Sequence, residues 1–386
     1  MRFGTVVTAA IGLLANTVSA STDAEASDDF INQLNEQAIQ NLNTTETAKR
    51  SCNLFTAGVR KDWTYLSAKE RKAYISAVQC LLAKPSKIDP AFAPGARNRY
   101  DDFVAVHINQ TLTIHGTGNF LTWHRYFTWA YETALRDECG YTGYQPYWNW
   151  FYKPDDPYNN PLFDGSDTSM GSDGAYMEHN GTLASQGNLF VPSGKGGGCV
   201  KSGPFKDMEL HIGPVSPAMR GLAANPSPDG RLGYNPRCLS RDLSPIVFTK
   251  FFTLQNLVNI TIGQASNSIG SFQTEFQGRF GDAFLGLHTS GHTGIGGEAS
   301  DVFSSPNEPT FFLHHAMVDR VYWIWQALHL SKANTIAGTI TINNSPASRD
   351  ALKSDILNMG GVLAMDRPIS DLFNTLGDSP LCYIYI

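Results

Sequence analysis

The sequence contains no apolar run of about 18 residues, the length an α-helix needs to cross the core of a bilayer, so no membrane-spanning helix is expected. No two cysteines stand at CxxC spacing, which removes zinc-ribbon and thioredoxin-type chemistry. The glycines around Lys195 lack the GxxxxGKS/T spacing and follow no strand, so they do not form a phosphate-binding loop. No segment repeats at a fixed period. Charge is sparse, with 17% Asp, Glu, Lys and Arg and a net of −6, which argues against nucleic acid or an anionic membrane as partner. What is present, 386 residues of which 42% are hydrophobic, is ample for a globular fold with a sizeable buried core.

The N-terminus has the three parts of an export signal: a basic start at Arg2, an apolar run over residues 6–14, and small residues at Val18, Ser19 and Ala20. A secretory signal peptide over residues 1–20 is expected, with the mature chain starting at Ser21. The even set of six cysteines, Cys52, Cys80, Cys139, Cys199, Cys238 and Cys382, fits three disulfides of open pairing in an exported protein. Sequons at Asn43, Asn109, Asn180, Asn259 and Asn343 fit a secreted glycoprotein. Residues 21–48 read as a polar, acidic extension with a short helix near 30–42, and residues 49–386 as the functional domain.

Within that domain the pattern is mainly α, with long irregular connections and little β. Ser67 and Glu70 fit a capping box that opens a helix ended by Pro85. Helices are expected over residues 99–108, 123–136, 243–262 and 310–330. Residues 153–240 are rich in Gly, Pro, Asn and Asp and read as loop.

The chemistry lies in the histidines. His107, His115 and His124 fall within 18 positions of otherwise core-like sequence, HINQTLTIHGTGNFLTWH. His288 and His292, four apart, share one face of a helix. One of His314 and His315 can join them as a third ligand. A single such histidine is usually a hydrogen-bonded core residue; two triplets point instead to two all-imidazole metal sites, which favour copper or zinc over magnesium or calcium. Thr289 stands where HExxH would need its glutamate, and no bridging carboxylate accompanies the histidines, which disfavours a zinc hydrolase. His179, His211 and His329 are expected to be surface or structural residues.

The segments HGTGNFLTWHR from His115 and FFLHHAMVDR from Phe311, with Tyr147-Trp148-Asn149-Trp150, closely resemble the copper signatures of the tyrosinase, catechol oxidase and haemocyanin superfamily. The resemblance runs from about Arg60 to Tyr385. It implies a four-helix bundle holding two copper ions, one on His107, His115 and His124 and the other on His288, His292 and His315. It favours His315 over His314 because the second histidine of such a pair is the family's ligand. It further implies that Asp319 orients a ligand imidazole, and that Val302 and Phe303 line the substrate pocket. Thr113 stands where several fungal members carry a thioether-linked cysteine, so no crosslink is expected. Tyr383 and Tyr385, followed only by Ile386, resemble the end of a short form without a C-terminal lid, and Arg60 is expected to pack on that tyrosine pair.

The activity implied is copper-dependent oxidation of o-diphenols (catechols) to o-quinones, with O2 reduced to water, in the secreted space and with a small phenolic substrate. The alternatives are a monophenol-hydroxylating tyrosinase or an o-aminophenol oxidase and, in a different class, haemocyanin-like O2 binding. Thr289 follows the first ligand of the second site, where strongly hydroxylating relatives often place Asn to hold a water with a glutamate. Glu275 is poorly spaced for that partnership, so weak or absent hydroxylation is expected.

Overall fold

The computed structural model describes residues 23–44 and 49–386; the expected signal peptide lies outside the described residues. The organising element is a helix that is buried on every side. Phe311–Leu328 buries all of its residues but Leu328, including His314, His315, Asp319 and Arg320. A helix with no solvent-facing side is covered all round by its neighbours, and its few polar side chains need partners within the core.

In chain order the described helices are α1 (Asp23–Leu42), α2 (Ala68–Ala83), α3 (Arg99–Ile114), α4 (Phe120–Cys139), α5 (Pro245–Phe251), α6 (Leu254–Thr261), α7 (Ile269–Gln277), α8 (Gly286–Ile295) and α9 (Phe311–Leu328). The fold is mainly α, as expected. The four histidine-bearing helices α3, α4, α8 and α9 surround the site, with α4 packed along α9, α3 on α4 and α8 on α9. None of the described helices is long and apolar enough to cross a membrane.

Local chemistry explains the helix ends. Ser67 and Glu70 form the expected reciprocal capping box on α2, and Asn98 with Asp101 forms a second one on α3. Helix α3 runs on past Ile108 to Ile114, because nothing breaks it before Gly116. That glycine takes φ 56°, and a Cβ there would lie 2.5 Å from Asn343 Oδ1, so a side chain at this turn would be both strained and obstructed. Helix α4 starts at Phe120, three residues before the expected start, which puts His124 one turn in, and it ends on left-handed Gly140. The expected helix over 243–262 is two: α5 stops at Phe251, and Thr253 caps α6 by accepting from Asn256 N.

Among the described residues, strands are short and pair only in twos. The most consequential pair is parallel: Gly58–Arg60 lies beside Tyr383–Tyr385, in the register Gly58 to Tyr383. Cys52–Cys382 ties the same two segments together, and Cys80–Cys139 and Cys199–Cys238 complete the three expected disulfides. Helix α1 begins at Asp23, well before the expected position 30, and packs on this junction. Its Asn35 donates to Tyr385 O at 3.0 Å and accepts from Arg320 Nε at 3.2 Å.

Candidate metal centre

The imidazoles converge in two groups: His107, His115 and His124, and His288, His292, His314 and His315. His107 projects from α3, His115 caps its C-terminus, and His124 comes from the second turn of α4. His288 and His292 lie one turn apart on α8, and His314 and His315 open α9. The groups adjoin through His124 and His315, whose rings stack with centroids 4.5 Å apart. Phe120 packs on His124 and His288 at 4.9 and 4.8 Å, and Phe311 on His315 at 4.1 Å, so aromatic rings wall the cluster, in which His292 is partly exposed.

Backbone carbonyls set the tautomers. Nδ1 of His107 donates to Phe303 O at 2.7 Å, that of His115 to Thr111 O at 3.0 Å, that of His124 to Phe120 O at 2.8 Å and that of His292 to Ala299 O at 3.2 Å. Each bond leaves Nε2 as the lone-pair nitrogen, facing inward. The Nε2 atoms of His107 and His124 are buried without any partner. His292 Nε2 stands 3.2 Å from Nε2 of both His288 and His315, with one lone pair between two neighbours.

Burial, and then the neighbouring imidazoles, push these histidines far below their ordinary range. His107, His124, His288 and His315 lie well below 6.5, and His292 falls to about 3. Burial alone takes His115 to about 4, against the pull of its Thr111 hydrogen bond. The rings are therefore neutral at pH 7, the state in which imidazole binds a metal. Buried nitrogen lone pairs with no proton to accept are costly without a cation. An all-imidazole donor set suits copper.

Asp319 requires a correction. It lies one turn after His315, yet no imidazole is among its partners. Its Oδ1 accepts from Arg125 Nε at 2.5 Å, and its Oδ2 from Tyr383 and Tyr385 hydroxyls at 2.5 and 2.7 Å and Arg60 Nη1 at 3.3 Å. Burial alone would raise this carboxyl, but the charges of Arg125 and Arg60 outweigh it and hold it below the usual carboxylate range. Two guanidiniums attract a buried carboxylate more strongly than a neutral ring does. Arg60 lies 3.6 Å over the Tyr383 ring, as expected.

The other expected residues fall as follows. Thr289 donates its hydroxyl to Gln277 O at 2.6 Å and stands 3.5 Å from His288 Nδ1. Glu275 is paired with Arg279. Val302 is 42% exposed on the loop whose next residue, Phe303, supplies the carbonyl that holds His107. His179, His211 and His329 bond to Asp242, Asp101 and Thr261 O respectively, outside both groups.

Sequence reasoning missed Asp301. Its buried carboxylate accepts from Val215 N at 2.7 Å, Ser216 N at 2.6 Å, Phe303 N at 2.9 Å and Ser304 N at 3.1 Å, and so fixes the loop behind His107. An aspartate two residues before Phe303 offers an Asx-turn signal, but nothing in the sequence joins that turn to a histidine 194 positions earlier.

Comparison with known proteins agrees with this centre. The family profile of the common central domain of tyrosinase matches residues 97–328. A tyrosinase-like protein of Emericella nidulans, orsC, is 43% identical over 76% of this chain and 81% of its own length. The N-acetyl-6-hydroxytryptophan oxidase ivoB of the same organism is 37% identical over 87% and 94%. The solved structure of a mutant polyphenol oxidase from Thermothelomyces thermophila superposes with a TM-score of 0.85 at 38% identity, covering 94% of this chain and 98% of that one. Members of this family oxidise phenols with O2 at a dinuclear copper centre, for which the two imidazole groups supply a fitting donor set. The chain belongs to the tyrosinase family and is a type 3 copper oxidoreductase.

Proposed function

We propose that the enzyme oxidises o-diphenols to o-quinones and hydroxylates monophenols weakly or not at all. His107, His115 and His124 would hold one copper ion, and His288, His292 and His315 the other. When bound, the copper pair supplies the redox exchange with dioxygen that the oxidation needs. The protein keeps six imidazoles neutral, aims their Nε2 atoms inward and walls the pocket with Phe120 and Phe311. Val302, exposed on the loop beside His107, would form part of the rim met by the substrate ring.

The observation that carries the diphenol preference is the engagement of Thr289. Its hydroxyl proton is spent on the Gln277 carbonyl, and Glu275 is neutralised by Arg279. Thr289 is thus left able only to accept from a water, and the paired Glu275 is a weaker base for the proton of a monophenol. The similarity to an N-acetyl-6-hydroxytryptophan oxidase favours a second reading, in which an arene with a single hydroxyl replaces the catechol. Formation of three disulfides supports a secreted protein.

The test is oxygen uptake by copper-loaded enzyme with matched catechols, o-aminophenols and monophenols in parallel. Turnover of catechols or o-aminophenols with little monophenol uptake is the expected result. Rapid monophenol consumption without a lag contradicts the assignment to Thr289.

A further inference from the structure

The second group contains four imidazoles, one more than its counterpart. We infer that the Trp150 indole selects three of them, by fixing His314 as the tautomer whose proton sits on Nε2 and so withholding it from the metal. The identity of the metal rests on the copper reading above; the tautomer does not.

Indole Nε1–H can only donate. It lies 3.0 Å from His314 Nδ1, so that nitrogen is the acceptor. A proton on Nδ1 would face donor with donor, which excludes both the imidazolium and the other neutral form. His314 Nε2 is buried without a hydrogen-bond partner, as are those of His107 and His124, but here the ring proton is left on it by the indole, and a nitrogen carrying a proton has no lone pair for a cation. His292, in the same cluster, is fixed in the opposite sense, with Nδ1–H on Ala299 O and Nε2 free.

Neither partner has room to turn away. Trp150 is buried and stacks on Phe252, with centroids 5.4 Å apart and planes 8° apart. The His314 ring lies against the backbone of α8 at Gly291, where a Cβ would stand 2.1 Å from its Cε1. It also stacks on His288 at 5.6 Å. His315 has no such lock: its Nδ1 has no partner, and its Nε2 faces His292 Nε2 at 3.2 Å. Trp150 and His314 are thus positioning residues, and the choice of His315 over its neighbour gains a physical cause.

The direct test is nitrogen NMR of histidine-labelled apo protein, with the His314 signals assigned by their loss in His314→Gln. A proton on Nε2 and an unprotonated Nδ1 are expected; a proton on Nδ1 overturns the inference. The second measurement is copper content. His314→Gln retains an amide oxygen for the indole and should keep the wild-type copper content, whereas His315→Gln should lose about half of it. Loss of half in His314→Gln, with none in His315→Gln, also overturns it. If the wild type takes up no copper, the copper reading fails while the tautomer result still stands or falls by itself.

Discussion

One turn of α9 separates two buried polar clusters that have opposite fates. At His315 the neighbouring side chains are neutral rings with lone pairs left over, and the nitrogens of His107 and His124 across the interface have no partner. At Asp319 the carboxylate is matched by Arg60 and Arg125, and both tyrosine hydroxyls point at it. With Glu132, which accepts from Arg60 Nε at 2.9 Å, the second cluster matches two guanidiniums with two carboxylates, and it joins α4, α9 and the pair of strands Gly58–Arg60 and Tyr383–Tyr385. The first is closed only when cations are added. Unshared lone pairs on neutral rings mark the functional centre, and matched opposite charges mark the structural one.

The contrast can be broken at either cluster. Asp319→Ala should have the largest effect on stability, about 3–5 kcal/mol in denaturant unfolding, because the buried Arg125 guanidinium would lose its counter-ion and Arg60 would keep only Glu132. A loss below about 1 kcal/mol would mean that the arginines find water and that the network is not closed. Next comes the covalent tie at the same junction. Replacing Cys52 and Cys382 together by alanine opens a link between residues 330 apart and should cost about 2–5 kcal/mol, with copper content unchanged in the protein that remains folded.

A smaller effect is expected at a buried carboxylate that lacks the partners of Asp319. Burial raises Asp173 to about 6, against backbone donors on Oδ1, and its Oδ2 has no partner. The folded state therefore binds this proton more tightly than the unfolded chain does. Stability falls as pH rises from the ordinary aspartate value through about 6, and the penalty is complete above that. Asp173→Asn should stabilise by about 1–3 kcal/mol at pH 7 and by nothing below about pH 4. Equal effects at both pH values would show that the charge is not the cause.

Much of the centre was legible because metal binding uses scarce residues at helical spacing. Three histidines in a core-like segment and a pair four apart are conspicuous, and long apolar helices such as α9 declare themselves by composition. Other parts leave weaker traces. The two-stranded pairs are too short for alternation to register. The break between α5 and α6 depends on Thr253 capping a new helix inside an unbroken apolar pattern. The carbonyls of Phe303, Ala299, Phe120 and Thr111 orient imidazoles, but a backbone acceptor is the same at every residue and has no sequence signature. The role that the resemblance implied for Asp319 did not hold, because its partners Arg60 and Arg125 lie 259 and 194 positions away and no local pattern announces them. The Trp150–His314 contact was hidden for the same reason, at a separation of 164.

The central claim is that two neighbouring sets of three imidazoles each hold a copper ion. Elemental analysis of purified wild type and His292→Ala, side by side, tests it most directly. The wild type should carry about two copper ions per chain, and the variant about one, with oxidase activity reduced to background. Zinc in place of copper in the active wild-type enzyme, or a His292→Ala protein that keeps both its metal and its turnover, would contradict it.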